Sequence, residues 1–302
     1  MRREFISGNY GMKIGIVTRK EQTPKLLEAL EAVKLWGKGR RDKIIYAPEP
    51  QLRKCDVLIA IGGDGTVLSA AHIACGKQIP IAGINVGRVG FLAKYKPEEI
   101  TAVLDVLSKG TFKVQNRIML DCSVYSNKKK ILSRSVLNEI FLHAHAPERM
   151  VNLEVKIDDK FLTEYWADSL MLATPTGSTA YNLSAGGPII YPSAEAFVLN
   201  PISPMSLSVR PIIIPSSSVC KIKCVAESTA EMVFDGHFTE ELKEKSELVI
   251  CRSRYVTRFV HTGEFGFVQA LREKLGWTGK RKWAQQDLNL RPADYESAAL
   301  TN

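Results

Sequence analysis

Val57-Leu58-Ile59-Ala60-Ile61-Gly62-Gly63-Asp64-Gly65-Thr66-Val67 is an apolar run that ends in three glycines around one carboxylate, before an apolar-periodic stretch resumes. A short branched run with no polar interruption fits a strand buried on both faces. The glycines then mark a strand-to-helix turn, because Gly62, Gly63 and Gly65 tolerate φ > 0 and let another group approach the backbone closely. A helix beginning there offers N–H groups with no intrahelical acceptor, which suits a phosphate. Asp64 is the anomaly, since a carboxylate repels phosphate. It is either a chemical group, as a base or a magnesium partner, or an ordinary N-cap or turn aspartate. This stretch alone leaves both readings open.

The alternation continues on either side. Lys13–Val17, Ile44–Tyr46, Val57–Ile61 and Ile79–Ile84 read as strands, and Lys25–Trp36, Val67–Cys75 and Pro97–Ser108 as helices. That order implies a doubly wound, parallel α/β sheet. From about residue 112 the pattern changes to short strands of period-two alternation, exemplified by Met119–Tyr125, Leu153–Ile157 and Glu164–Thr174. Asp158-Asp159-Lys160 and Lys128-Lys129-Lys130 carry hairpin-turn signals. The expected architecture is an N-terminal α/β domain over 12–111 and a C-terminal, mostly antiparallel β domain over 112–265. A closing helix within 266–277 is placed to return to the first domain. Residues 1–11 read as a flexible leader ahead of Met12. Residues 278–302 lack any apolar periodicity that fits the preceding fold. Asp287-Leu288-Asn289-Leu290 back-translates into the complement of a tRNA T-arm, so this tail reads as a frame running into an oppositely oriented tRNA gene, without function.

Composition is that of a soluble globular protein, with 45% hydrophobic and 24% charged residues among 302. No apolar run approaches the roughly 20 residues needed to span a bilayer, and Met1–Phe5 lacks the apolar core of a signal peptide. Six cysteines (55, 75, 122, 220, 224, 251) are dispersed through apolar segments. Cys220 and Cys224 have no His or second Cys pair nearby, which argues against zinc. Free thiols in a reducing cytoplasm are expected, with no membrane partner. The formal charge of +9 is scattered, with its densest clusters at Lys128–Lys130 and Lys280–Lys282. Without a basic helix or aromatic-interleaved stripe, the field suits a small anionic ligand such as a nucleotide rather than nucleic acid.

A second constellation, Thr174-Pro175-Thr176-Gly177-Ser178-Thr179-Ala180-Tyr181 with Gly186-Gly187-Pro188, closes the strand that ends at Ala173. Its hydroxyls beside a short helical piece form a polar surface suited to a ribose or an adenine edge, or simply a capped turn. Together the two segments resemble the ATP-dependent NAD kinase family. The resemblance also runs through Gly83–Gly87 with Gly90-Phe91-Leu92, Asn138-Glu139, Asp168, Leu207-Ser208 with Arg210-Pro211, Asp235-Gly236 and the close Leu271–Trp277, covering about 12–277 in order. The glycine–aspartate signature is shared with lipid kinases and more distantly with phosphofructokinases; the Thr174–Tyr181 block and the Asn-Glu pair separate NAD kinases from them. A dehydrogenase is disfavoured, because no Gly-x-Gly-x-x-Gly follows the first strand.

The resemblance implies transfer of the γ-phosphoryl of ATP, or of polyphosphate, to the 2′-hydroxyl of the adenosine ribose of NAD, giving NADP. Asp64 would then be the catalytic base, with the Gly62, Gly63, Gly65 and Thr66 backbone and Mg²⁺ or another divalent cation holding the phosphates. No protein ligand to the metal is assigned. NAD would be met by Asp64, Gly65, Phe91, Asn138, Glu139, Asp168, Thr179, Ala180 and Tyr181. The family also implies a homodimer or homotetramer formed through the β domain, with pockets near the subunit interface. Read as residues, Asn138 and Glu139 are a polar pair inside an apolar run, costly unless partnered. Asp235-Gly236 reads as a turn rather than a ligand contact, and Tyr181 as packing whose hydroxyl reaches water. His143 and His145 read as surface or packing residues, while His237 is the one placed to approach a phosphate. Two positions depart from the family pattern. Ser169 stands where Gly is usual, which matters if that position needs φ > 0. Met205 stands where His is usual, and is expected to pack into an apolar gap.

Overall fold

The computed structural model describes residues 11–277 apart from 20, 47, 88–89, 146–149, 226–228 and 262–265. The leader ahead of Gly11, the tail at 278–302 and the Lys280–Lys282 cluster lie outside the described residues.

The first half alternates as its pattern requires: β1 (Lys13–Thr18), α1 (Pro24–Gly37), β2 (Lys43–Ile45), α2 (Glu49–Leu52), β3 (Val57–Gly62), α3 (Asp64–Ala74), β4 (Ile81–Asn85) and α4 (Ile100–Ser108). The four strands are parallel, with β1 between β2 and β3 and with β4 outside β3. Every residue of β3 is buried, because the sheet is covered on both faces. Pro24 opens α1 at a position where its missing N–H costs nothing. From α1, Leu26, Ala29, Val33 and Trp36 form one stripe against the sheet. Ile100, Val103, Leu104 and Leu107 of α4 share that core, and Trp36 Nε1 donates to Asp105 Oδ1 at 2.7 Å. On the opposite face lies α3, through Val67, Ala70, Ala71 and Ala74.

The second half supplies β5 (Lys113–Ser126), β6 (Lys129–Val136), β7 (Glu139–His143), β8 (Val151–Ile157), β9 (Lys160–Ala167), β10 (Ser169–Ala173), α5 (Tyr181–Ser184), β11 (Ala196–Ile202), β12 (Ile212–Pro215), β13 (Cys220–Cys224), β14 (Ala230–Phe234), β15 (Phe238–Leu242), β16 (Ser246–His261) and α6 (Phe267–Lys274). One sheet of six strands runs β12-β11-β10-β7-β14-β15 and is antiparallel. The other strands extend the parallel sheet of the first half. The link is β16, which pairs in parallel with β4 at Phe259↔Ile81 and antiparallel with β5 and β13. Leu120, Val136, Leu153 and Ile250 of the extended sheet face Ile140, Leu172, Phe197 and Phe234 of the six-stranded one in a single apolar layer.

The turns at Asn127-Lys128 (φ 49° and 63°) and Asp158-Asp159 (φ 50° and 64°) have positive φ at both central residues, as tight hairpins require. The single strand expected over Glu164–Thr174 is instead two. The chain leaves β9 at Asp168 and crosses to the second sheet as β10; the Asp168 N–H donates to Ile202 O at 3.1 Å across that break. Ser169 does not have positive φ, so the absence of glycine there introduces no strain.

Candidate active site

The strand-to-helix turn is as tight as it can be: β3 ends at Gly62 and α3 begins at Asp64, with Gly63 as N-cap. None of Gly62, Gly63 and Gly65 has positive φ, which corrects the expectation that conformation demands them. Gly62 is required by packing, since a Cβ there would lie 2.0 Å from Thr66 Oγ1 as the first helical turn folds back. A Cβ on Gly63 or Gly65 would meet nothing within 4 Å, so these two glycines leave open space before the N–H groups of α3.

The Asp64 carboxylate faces the segment after β4. Its Oδ2 accepts Phe91 N–H at 2.8 Å, and its Oδ1 accepts Leu92 N–H at 3.0 Å and Ala93 N–H at 3.1 Å. Only glycine fits at 90, where a Cβ would come within 2.0 Å of Asp64 Oδ1. Helix α6 closes this corner. Ala270 and Leu271 pack on Phe91, and Lys274 Nζ lies 3.8 Å from Asp64 Oδ2 and 4.3 Å from the Phe91 ring centre. The resemblance covered Lys274 within Leu271–Trp277 but gave it no role.

The Thr174–Tyr181 block proves to be scaffold more than surface. Thr174 is fully buried; its hydroxyl donates to Leu137 O at 2.6 Å and accepts Thr176 and Gly177 N–H, both at 3.1 Å. A Cβ on Gly177 would lie 2.2 Å from Asn138 O. Ser178 Oγ is occupied between Pro175 O and the Ile190 backbone, and Thr179 Oγ1 donates to Thr176 O at 3.2 Å. The Thr174 and Ser178 hydroxyls are therefore spent on shaping the turn, while Thr179 Oγ1 donates into it and keeps its acceptor lone pairs. The outward group is Tyr181, which is 43% exposed with its ring edge-on to Phe141 at 5.3 Å, rather than packed in the core.

Asn138 and Glu139 are buried beside that turn, with Asn138 Oδ1 and Glu139 Oε2 lacking any partner among the described residues. Burial, and then the charge of Asp235, push the Glu139 carboxyl up to about 8. Asp235 is the residue that sequence reasoning undervalued. It does turn the chain, with φ 50° followed by Gly236 at 64°. Its buried carboxylate also accepts Leu137 N–H at 2.8 Å, Asn138 N–H at 2.7 Å and Glu139 N–H at 3.1 Å. His72 Nε2, on the last turn of α3, lies 3.1 Å from Asp235 Oδ2. The helix that begins at Asp64 thus comes close to the aspartate that holds the Asn138-Glu139 backbone, although His72 Nε2 does not reach hydrogen-bond geometry with it. His237 lies beside the same helix, with Nε2 3.4 Å from Ser69 Oγ, while His143 pairs with Glu231 at 3.2 Å.

Asp168 does not join this group within one chain. It is exposed at the far end of β10, about 20 Å along the strand from Thr174. Met205 is not packed in a gap as expected: it is 65% exposed and lines a groove of about 400 Å³ with Tyr165, Trp166, Pro204 and Val209. Among the described residues no group of three or more His, Cys, Asp or Glu could hold a metal.

Models of two domains match the chain: the ATP-NAD kinase N-terminal domain over 11–112 and the ATP-NAD kinase C-terminal domain over 137–262. The NAD kinase of Methanothermobacter thermautotrophicus is 36% identical over 279 residues, covering 87% of this chain and 96% of that protein. The NAD kinase of Aquifex aeolicus is 40% identical over 223 residues, covering 74% and 81%. Among solved structures, yeast NADH kinase complexed with NADH superposes with a TM-score of 0.82 at 26% identity, covering 92% of this chain and 94% of that one. An Archaeoglobus fulgidus NAD kinase in complex with ATP superposes with a TM-score of 0.68, also at 26% identity, covering 88% and 98%.

Proposed function

The chain belongs to the ATP-NAD kinase family, and on that premise we propose how its own residues carry the reaction. It is an NAD kinase, transferring the γ-phosphoryl of ATP to the 2′-hydroxyl of the adenosine ribose of NAD. Phosphoryl transfer needs alignment, neutralisation of charge and an acceptor for the hydroxyl proton. The first N–H groups of α3, with open space before Gly63 and Gly65, receive the phosphates. Asp64 takes the ribose proton. What supports this most is the state of its carboxylate: three backbone donors fix its orientation, yet Oδ2 accepts only one of them and keeps a lone pair for the hydroxyl.

Asn138 and Glu139 meet the ribose and pyrophosphate, and their unpartnered buried oxygens are what such a ligand would satisfy. With its carboxyl pushed up to about 8, Glu139 is protonated at neutral pH, and so donates to a phosphate oxygen instead of repelling it. Thr179, Ala180, Tyr181 and Phe91 complete the NAD pocket. A divalent cation fits as a companion of the ATP phosphates, held mainly by them and by water, because the described residues offer Asp64 rather than a full ligand set. Bound so, it would neutralise charge on the transferring group.

The β domain forms a homodimer or homotetramer. An exposed groove with Trp166 at 51% and Met205 at 65% exposure is the kind of apolar patch that a second copy covers. It adjoins Asp168, which then reaches the NAD site of its neighbour rather than its own. No helix among the described residues is long and apolar enough to cross a membrane, and the six cysteines are free thiols, consistent with a cytoplasmic enzyme.

The test is NADP formation from NAD by the purified chain with Mg²⁺, using ATP and polyphosphate as alternative donors. Asp64→Asn is expected to lower turnover by about 10²–10⁴-fold while NAD still binds. Full turnover in that variant rejects Asp64 as the proton acceptor.

A further inference from the structure

Two cations, a buried arginine and a half-buried lysine, sit together without an anion. Arg117 on β5 is only 4% exposed, and its Nε–H has no acceptor. Its Nη2 donates to Gln115 Oε1 at 3.2 Å, and the same oxygen takes Lys94 Nζ at 3.4 Å. One neutral amide is therefore shared by two positive groups, and among the described residues neither makes an ion pair with a carboxylate. Burial, and then Arg117, lower the Lys94 ammonium to about 8; burial lowers the Arg117 guanidinium to about 10. Leaving two like charges desolvated is costly, and folded chains relieve it with a counter-charge.

The positive groups also reach the surface. Lys113, Gln115 and Arg117 alternate along one face of β5 and grade from exposed to buried. In register on β16, His261 stands opposite Lys113 and Phe259 opposite Gln115, with the Phe259 ring centre 6.0 Å from the Arg117 guanidinium carbon. His261 is itself held below its usual value, by burial and by Lys94 and Lys113. Positive groups thus lead from exposed Lys113 and half-buried His261 inward to a buried guanidinium whose Nε–H is unsatisfied. None of these residues belongs to the phosphate loop or to the proposed NAD pocket.

We propose that Lys94, Arg117 and Gln115, with His261 and Lys113 at the rim, form a second anion site that takes a phosphoryl group. A guanidinium with a free Nε–H can give a phosphate two parallel hydrogen bonds, and the lysine adds a compact charge. Lys94 directly follows the Phe91–Ala93 backbone that holds Asp64, but its ammonium reaches Gln115 rather than the Asp64 carboxylate.

The experiment is thermal unfolding of the full chain in chloride and in inorganic phosphate at equal ionic strength, and with ATP as a second probe. Wild type is compared with Lys94→Glu, which supplies an internal counter-charge for Arg117, and with Lys94→Met, which removes one of the two cations. Phosphate bound at the α3 loop contributes alike to all three, so the difference between variants isolates this site. Expected are a higher Tm for Lys94→Glu than for wild type in chloride, and a smaller phosphate-induced rise in both variants. A deficit seen with inorganic phosphate assigns the free ion; one seen with ATP alone assigns the phosphate tail of a nucleotide. An equal phosphate- and ATP-induced rise in wild type and Lys94→Met overturns the proposal, whether or not Lys94→Glu folds.

Discussion

Asp235 shows how much one side chain can organise. In hairpin geometry an Asp-Gly pair is ordinary, but here the carboxylate is buried and accepts three successive N–H groups at the start of β7. Asp235→Asn keeps one acceptor oxygen and turns a donor toward the others. A loss of about 1–3 kcal/mol is expected in denaturant unfolding, with KM for NAD rising more than kcat falls, because Asn138 and Glu139 lose their anchor. Glu139 adds a pH dependence. Its folded-state value, about 8, lies above its ordinary 4.5, so between those values the folded chain retains a proton that the unfolded chain has released. Stability therefore decreases as pH rises through that window, and Glu139→Gln is expected to flatten the decrease, as read by denaturant midpoints at its two ends. An unchanged slope in that variant removes Glu139 as the source.

At the scale of elements, the junction of β3 and α3 separates glycines that look alike in sequence. Gly62→Ala forces a Cβ to within 2.0 Å of Thr66 Oγ1, so the helix must shift; a cost of about 1–3 kcal/mol is expected. Gly63→Ala meets nothing within 4 Å and is expected to melt like wild type, yet its methyl stands where phosphate approaches, so KM for ATP rises. Melting temperature and ATP kinetics on the two variants check both, and a normal KM in Gly63→Ala would place the phosphates elsewhere. Helix α6 is the second element whose placement matters. It is short and amphipathic, ordinary in sequence, and it sets Lys274 beside Asp64 only because Ala270 and Leu271 find Phe91.

For the whole molecule, β16 is the decisive strand. It joins the parallel strands of the first half to antiparallel β5 and β13 in one sheet, and that sheet packs through Leu120, Val136, Leu153 and Ile250 onto the six-stranded sheet that holds the Asn138-Glu139 strand. Together the two sheets leave the groove around Trp166 and Met205 uncovered and Asp168 remote from its own pocket. Trp166→Glu is expected to shift the assembly toward monomer in sedimentation and to lower NADP formation in parallel, because the neighbour no longer supplies Asp168. A monomer of undiminished activity would sink that arrangement.

The alternation of the first half, the hairpins of the second, the glycine–aspartate turn and the family are all legible in the order of amino acids alone. Each of these is written in local periodicity, in glycine and turn chemistry, or in short ordered motifs. What Asp64 touches, why Gly62 differs from Gly63, that Asp235 holds β7 and that Lys94 meets Arg117 emerge only once the chain is folded. Gly62 meets Thr66 only four residues on, through the helical turn between them; the other partners lie tens of residues apart in the chain, and their burial and hydrogen bonds depend on which strands become neighbours. The break at Asp168 was hidden for the same reason: two strands in different sheets read as one run when each alternates alike.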